Sequence, residues 1–401
     1  MSKKKFRPKQ QIGVGGLTLS KKAKRYVNNV LNSNRLSYGP WTQKFEKLFA
    51  EKHDCKYASF VNSGTDALRI GLTALKNLNK WKDGDEVIVP AITFIATSNV
   101  VLQNNMKPIF VDVDPRTYNI DPAKIEEKIT NKTRAIIPVH LMGLPVDMDP
   151  ILSLAKKYKL KIIEDSCETM FATYKGKKVG SLGDIGTFST YVAHFLVTGV
   201  GGIATTNDPK LAIEIKSLMN HGRDSIYLNI DDDKGKKGDE LYKIVSSRFR
   251  FIKIGYSARC TEMEAALGVA QLEDKNKIIK KRREIAEKYN KGLKNLEKYI
   301  QLPYEPDYAK HMYMLYPIVV KNDSKWGLVK YLEDHNIETR DLMPLLSQPI
   351  YKKIFGDIEK NFPVAKWINN SGFYIGCHQH ISDKEVDYII DTIHEYFKLS
   401  Y

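Results

Sequence analysis

The first two thirds of this chain alternate short, β-branched apolar runs with helical stretches, and that alternation limits what it can fold into. EVIVP (86–90) is followed, after a helical stretch, by PIFVDV (108–113), AIIPVHL (135–141), KIIEDS (161–166) and GTFSTY (186–191). PILSLAKKYK (150–159) reads as a helix between two of these strands. Apolar runs with few polar positions are buried on both faces, and strands separated by helices pair in parallel. The pattern predicts an α/β fold, a mostly parallel mixed sheet flanked by helices. Near residue 270 the texture changes to a long charged helix, EDKNKIIKKRREIAEKYNKGLKNLEKY. A strand (MYMLYPIVVK, 312–321) and a closing amphipathic helix (KEVDYIIDTIHEYFK, 384–398) come later. A chain of 401 residues exceeds what one core sustains. The expectation is a large domain, 1–270, and a smaller C-terminal α/β domain, 271–401. DDDKGKKGDE (231–240) reads as an exposed loop.

Composition enters mainly by exclusion. The hydrophobic share, 42%, is that of a chain with a sizeable core. The net charge of +16 is spread along the chain without interleaved aromatics, so it reads as a lysine-rich solvated surface. No nucleic-acid partner is expected, while a diphosphate-bearing substrate fits. No apolar run follows the basic start MSKKKFRPKQQ, and none of about 18 residues occurs elsewhere, so neither a signal peptide nor a membrane partner is expected. Cys55, Cys167, Cys260 and Cys377 lie far apart without metal-type spacing. They read as reduced thiols of a cytoplasmic protein, with no metal site.

Two stretches carry chemistry by their position alone. In VNSGTDALRIGL (61–72) a strand-like run ends at Ser63-Gly64-Thr65 and a helix begins at once. Free N–H groups and hydroxyls there suit a phosphate, although plain N-capping accounts for the same residues. In IIEDSCETM (162–170) Asp165 follows a buried strand, at the sheet edge where ligands of open α/β sheets bind. It either caps the next helix or pairs with a protonated ring nitrogen.

These stretches belong to an ordered series. LSYGPWTQKFEKLFA (36–50), GDEVIVPAITFIATSNVV, PIFVDVDPRTYNIDP, TRAIIPVHLMGLPVDMD, KIIEDSCETM, VGSLGDIGTFS and KIGYSARCTEMEAALG (253–268) together resemble the DegT/DnrJ-type nucleotide-sugar aminotransferases. The resemblance runs from about residue 12 to 398. It implies aminotransferase fold type I, pyridoxal 5'-phosphate (PLP) or pyridoxamine 5'-phosphate (PMP) as cofactor, and a homodimer with shared active sites. Carried over, Gly64, Thr65 and Ser189 hold the cofactor phosphate, Phe94 stacks on the ring, Asp165 meets the ring nitrogen and Glu168 lies near the ring hydroxyl. Where the family commonly has an asparagine reaching the partner's cofactor, this chain has the shorter Ser257.

The main departure lies in STYVAHFLVTGVGG (189–202). Aligned on its ends, it puts His194 where these aminotransferases carry the lysine that binds PLP covalently. An imidazole cannot form that link but can act as a base, its ordinary pKa being about 6.5. The exchange resembles the family's sugar 3-dehydratases, in particular the GDP-4-keto-6-deoxy-D-mannose 3-dehydratase branch, as do Asn220-His221-Gly222 and Gly376-Cys377-His378-Gln379. That likeness implies removal of the C3 hydroxyl from a nucleotide-diphosphate 4-keto-6-deoxy sugar, with His194 as base and L-glutamate regenerating PMP. Arg259 is the candidate for the glutamate carboxylate and His378 for substrate binding. His221 either assists near the leaving group or only satisfies the fold. The competing readings are a sugar aminotransferase and a non-catalytic binding protein on a decayed site. Val200, where glutamate is usual, departs from both enzyme patterns.

Overall fold

The computed structural model describes residues 6–224, 233–321 and 323–400. Its main sheet has seven strands: β1 Tyr57–Val61, β2 Glu86–Pro90, β3 Lys107–Val111, β4 Thr133–Ile136, β5 Lys161–Asp165, β6 Ile185–Ser189 and β7 Gly202–Thr206. Their order is β1-β7-β6-β5-β4-β2-β3, parallel from β3 to β6, with β7 antiparallel to both of its neighbours. The apolar runs divide between the two faces as a pleat requires. Val87, Val89, Ala135 and Ile163 join one core cluster, and Ile88, Ile136 and Ile162 join the other. The expected doubly covered, mostly parallel sheet is what forms.

Around the sheet run helices α1 Lys21–Ser33, α2 Pro40–Lys52, α3 Gly64–Asn79, α4 Ile95–Gln103, α5 Met148–Tyr158 and α6 Pro209–Leu218. The next helices are α7 Gly238–Ser247 and the 32-residue α8 Glu262–Leu293. A second sheet has strands β8 Ile300–Gln301, β9 Leu315–Val320, β10 Thr339–Asp341 and β11 Gly372–Gly376, all antiparallel in the order β8-β9-β11-β10. With α8 and the closing helix Asp383–Ser400 it encloses its own core, which includes Ile285, Tyr289, Ile318, Phe373 and Ile389. Ile12 belongs to that core too, and it bridges Ile337.

Three local expectations shift. AIIPVHL stops being a regular strand at Ile136, because Pro138 has no N–H to give the ladder. The backbone stays extended, Val139 bridging Asp165, and then turns at Leu141–Gly143. The charged helix begins at Glu262, well before its charged run, because Thr261 and Glu264 form a capping box there. Residue 270 thus lies inside α8. Within 231–240, residues 231–232 lie outside the described residues, and from Gly238 the chain is already helix α7.

One buried contact fixes the start of the fold. Gly39 precedes α2 and has no side chain to cap it, so the cap comes from Glu262, 1% exposed, at the head of α8. The N–H groups of Gly39, Trp41 and Thr42 donate to its carboxylate at 2.8–2.9 Å, and the Thr42 hydroxyl donates as well. A Cβ on Gly39 would fall on the Glu262 carboxylate, which is why LSYGPW has glycine at this point.

Candidate active site

The C-terminal ends of β5 and β6, the head of α3, the head of α4 and the turn after β6 surround one cleft of ≈ 450 Å³. Gly64, Thr65, Phe94, Asp165, Glu168, Ser189 and His194 all line it, gathered from segments scattered over 130 residues of chain (194 − 64). Ligands of open α/β sheets bind at this edge. Among the described residues, no lysine lines the cleft. Lys175, Lys177 and Lys178, the lysines nearest in sequence before His194, lie in a short hairpin, and Lys175 is paired with Asp149.

The phosphate end follows from α3. Ser63 caps the helix, its hydroxyl accepting from the Asp66 N–H at 3.0 Å, so the capping reading holds. Gly64 and Thr65, in the first turn, keep N–H groups that the helix cannot use. Gly64 also packs closely: a Cβ would lie 2.8 Å from both Cys167 Sγ and Ser189 Cβ. Gly64→Ala therefore pushes on the cleft wall at a cost of about 1–3 kcal/mol, which taken from cofactor binding is about five- to 150-fold in affinity. Titrating the protein with PLP, followed by absorbance, measures it.

Asp165 is 4% exposed, and among the described residues no lysine or arginine pairs with it. Its carboxylate accepts from the Thr97 hydroxyl at 2.7 Å and from the Cys167 N–H at 3.1 Å. Burial raises its pKa, those two donors and His140 opposing, so a cation brought alongside would be strongly favoured. Phe94 is 57% exposed although its neighbours in PAITF are buried, and an open aromatic face in a cleft suits a flat ring. The free N–H groups, the open Phe94 ring and the unpaired Asp165 fit a phosphorylated pyridine in one orientation.

Glu168 sits beside them, accepting the Met142 N–H at 2.9 Å. Burial raises its pKa to about 7, the Met142 N–H opposing and Asp165 adding. A carboxyl raised in the folded state contributes stability that is full below its ordinary value of 4.5 and lost as pH rises through 7. Cofactor-free protein is expected to lose about 3 kcal/mol over that interval, and Glu168→Gln to flatten the profile. Urea unfolding at several pH values tests this.

His194 tips a pinched turn. Thr190 and Thr198 bond through both hydroxyls and backbone, the Thr190 N–H donates to Gly201, and the His194 N–H donates to Tyr191 at 2.9 Å. Its Nδ1 is buried without a hydrogen-bond partner in the protein. Burial lowers the imidazole pKa to about 4, the Tyr191 backbone opposing and Arg282 adding to the fall. The sequence suggested a value near the ordinary 6.5, and the difference comes from burial and from Arg282.

The remaining candidates lie outside the cleft lining. Ser257 and Arg259 are exposed, and the Arg259 guanidinium donates to Ser257 and Asn220, each at 3.1 Å. His221 is exposed with φ 65°, its N–H donating to the Tyr256 carbonyl. His378 is buried, with Nε2 3.0 Å from the Gly13 carbonyl and Nδ1 accepting from the His380 N–H. Sequence reasoning missed Thr97, one turn beyond Phe94, and Val14, Met314, Met343 and Tyr374, which close the cleft from the N-terminal segment and the second sheet.

Comparison with known proteins agrees with this geometry. The model of the DegT/DnrJ/EryC1/StrS aminotransferase family matches residues 18–394. GDP-perosamine synthase of Escherichia coli O157:H7 is 37% identical over 95% of this chain and 97% of its own. GDP-4-keto-6-deoxy-D-mannose 3-dehydratase of Escherichia coli O55:H7 is 29% identical over 92% and 95%. A solved E. coli GDP-4-keto-6-deoxy-D-mannose-3-dehydratase with bound hydrated PLP superposes with a TM-score of 0.86 at 28% identity, covering 96% of this chain and 99% of that one. The chain belongs to the DegT/DnrJ/EryC1/StrS aminotransferase family and is a PLP-dependent enzyme of aminotransferase fold type I.

Proposed function

We propose that this enzyme is a PLP/PMP-dependent 3-dehydratase acting on a nucleotide-linked 4-keto-6-deoxy sugar, with L-glutamate as amino donor. The observation that carries the reading is His194, a residue that cannot bind PLP covalently, in a cleft that no lysine lines among the described residues. When bound, PMP supplies an amine for the sugar ketone and a ring that takes up electron density. This chain's residues do the rest. Asp165 holds the ring nitrogen's proton, Phe94 covers the ring face, and the head of α3 with Ser189 holds the phosphate.

His194 removes a proton from the carbon beside the ring. Its lowered pKa keeps it neutral, and so able to accept, throughout the physiological range. A negative charge entering the cleft opposes the Arg282 field and strengthens it as a base. Without a lysine to reprotonate the sugar at C4, loss of the C3 hydroxyl as water would be favoured over transamination, and hydrolysis of the unsaturated C4 amine left behind would give the 3-deoxy-4-keto sugar and ammonia.

We further propose a homodimer in the cytoplasm. Ser257 and Arg259 are exposed in the single chain beside the exposed apolar Phe251, Ile252 and Ile254, a surface suited to a second copy that brings them to its cleft. There Arg259 takes the glutamate carboxylate and His221 lies near the leaving group, while His378 supports substrate binding through the N-terminal segment. The four free thiols suit a reducing compartment. A second reading, aminotransferase, is favoured by the higher identity to perosamine synthase. Mass spectrometry of products from a panel of nucleotide-linked 4-keto sugars, with PLP and glutamate, separates them: a 3-deoxy-4-keto sugar supports the proposal, and an amino sugar refutes it.

A further inference from the structure

Among the described residues Arg282 is the largest fully buried side chain, 2% exposed, and no carboxylate pairs with it. Its Nη1 instead donates to the carbonyls of Met314 at 2.7 Å, Cys377 at 3.1 Å and Tyr313 at 3.4 Å. The guanidinium carbon lies 4.6 Å from the ring centroid of Phe195, the residue after His194. Desolvating an unpaired cation is costly, so an arginine in this place needs a reason.

The reason is visible along the same helix. Gln271 precedes Arg282 by eleven residues, three turns and about 20° of an α-helix, so both side chains leave one face of α8. The Gln271 carbonyl oxygen accepts the Val197 N–H at 3.0 Å, and its amide donates to the Val197 carbonyl. The turn that carries His194 is thus closed at its neck by Thr190 and Thr198 and held on its far side by α8 at Phe195 and Val197.

We propose that Gln271 and Arg282 are positioning residues for His194, a clamp on α8 that fixes the turn and so the aim of the imidazole into the cleft. Held at Phe195 and Val197, the turn has little freedom to swing His194 away from the cleft. The titratable groups that line the cleft with the imidazole are Asp165, Cys167, Glu168 and Tyr374, with Tyr191 on its own turn, and Arg282 acts on it from α8. Burial lowers the pKa of His378 and of His380 in the loop after β11, and Arg282 adds to both falls. The clamp rests on the proposed role of His194 only for its effect on turnover.

The test uses the full chain with PLP and three variants: Gln271→Leu, which keeps the shape and removes both bonds, Arg282→Met, and Arg282→Lys as the conservative exchange. Hydrogen exchange at the Val197 amide and an NMR titration of the His194 ring report the clamp whatever the reaction is. Gln271→Leu is expected to speed exchange at Val197 about tenfold. Arg282→Met raises the His194 pKa towards its ordinary value, and Arg282→Lys restores part of the shift. If turnover depends on His194, kcat falls in Gln271→Leu while KM for the sugar stays within about twofold, and it falls less in Arg282→Met, where the raised imidazole pKa offsets part of the loss. Arg282→Met leaves three carbonyls unpaired, and if it does not fold Gln271→Leu decides alone. Unchanged Val197 exchange in Gln271→Leu, or a His194 pKa unmoved in folded Arg282→Met, would overturn the proposal. A released turn together with full activity of His194→Asn would uphold the clamp and refute the proposed role of His194.

Discussion

Replacing His194 by asparagine is expected to lower turnover about 10²–10⁴-fold, the range a positioned general base contributes. Asparagine keeps a polar group of similar reach but cannot accept a proton near neutral pH. The backbone bonds that shape the turn do not involve the side chain, so the fold and PLP affinity should stay close to those of the parent. The PLP absorbance spectrum and a steady-state assay with glutamate and a 4-keto sugar check both halves. Loss of turnover with intact PLP binding assigns the proton transfer to the imidazole, whereas full turnover would leave the base elsewhere in the cleft.

The second large effect concerns stability. Glu262→Ala orphans the N–H groups of Gly39, Trp41 and Thr42 and the Thr42 hydroxyl, those of Gly39 and Thr42 buried and that of Trp41 partly buried. The first turn of α2 loses its cap, and α2 carries Phe45 and Phe49 into the main core. The expected cost is about 3–5 kcal/mol, large for one substitution because several buried donors lose a charged acceptor together. Glu262→Gln keeps the carbonyl acceptor and should lose less. Urea unfolding midpoints order the three proteins, and a loss below about 1 kcal/mol for the alanine variant would mean that water reaches these donors.

What could be read from the sequence, and what could not, follows distance along the chain. Val87, Ile88 and Val89 announce a strand buried on both faces because each face has its own apolar claimant within the run. Gly64, Thr65 and Asp165 sit at strand ends, where topology alone carries a residue to the ligand edge, so they were placeable before any coordinates. Glu262 was not, since the groups it caps precede it by some 220 residues (262 − 42), and one acid at a helix head looks like any other. The depressed pKa of His194 was hidden for the same reason, its burial and Arg282 being supplied by elements far along the chain. Pro138 shows the reverse case, a local signal against a regular ladder that the apolar run around it obscured.

Nitrogen-15-labelled L-glutamate gives the most direct test of the central claim. The enzyme is incubated with PLP, the labelled donor and a nucleotide-linked 4-keto-6-deoxy sugar, and the label is located in the products. The account predicts nitrogen-15 in free ammonium, with a sugar that has lost its C3 oxygen and gained no nitrogen. Label retained on the sugar as an amine would contradict it and make this enzyme an aminotransferase that works without a lysine at position 194.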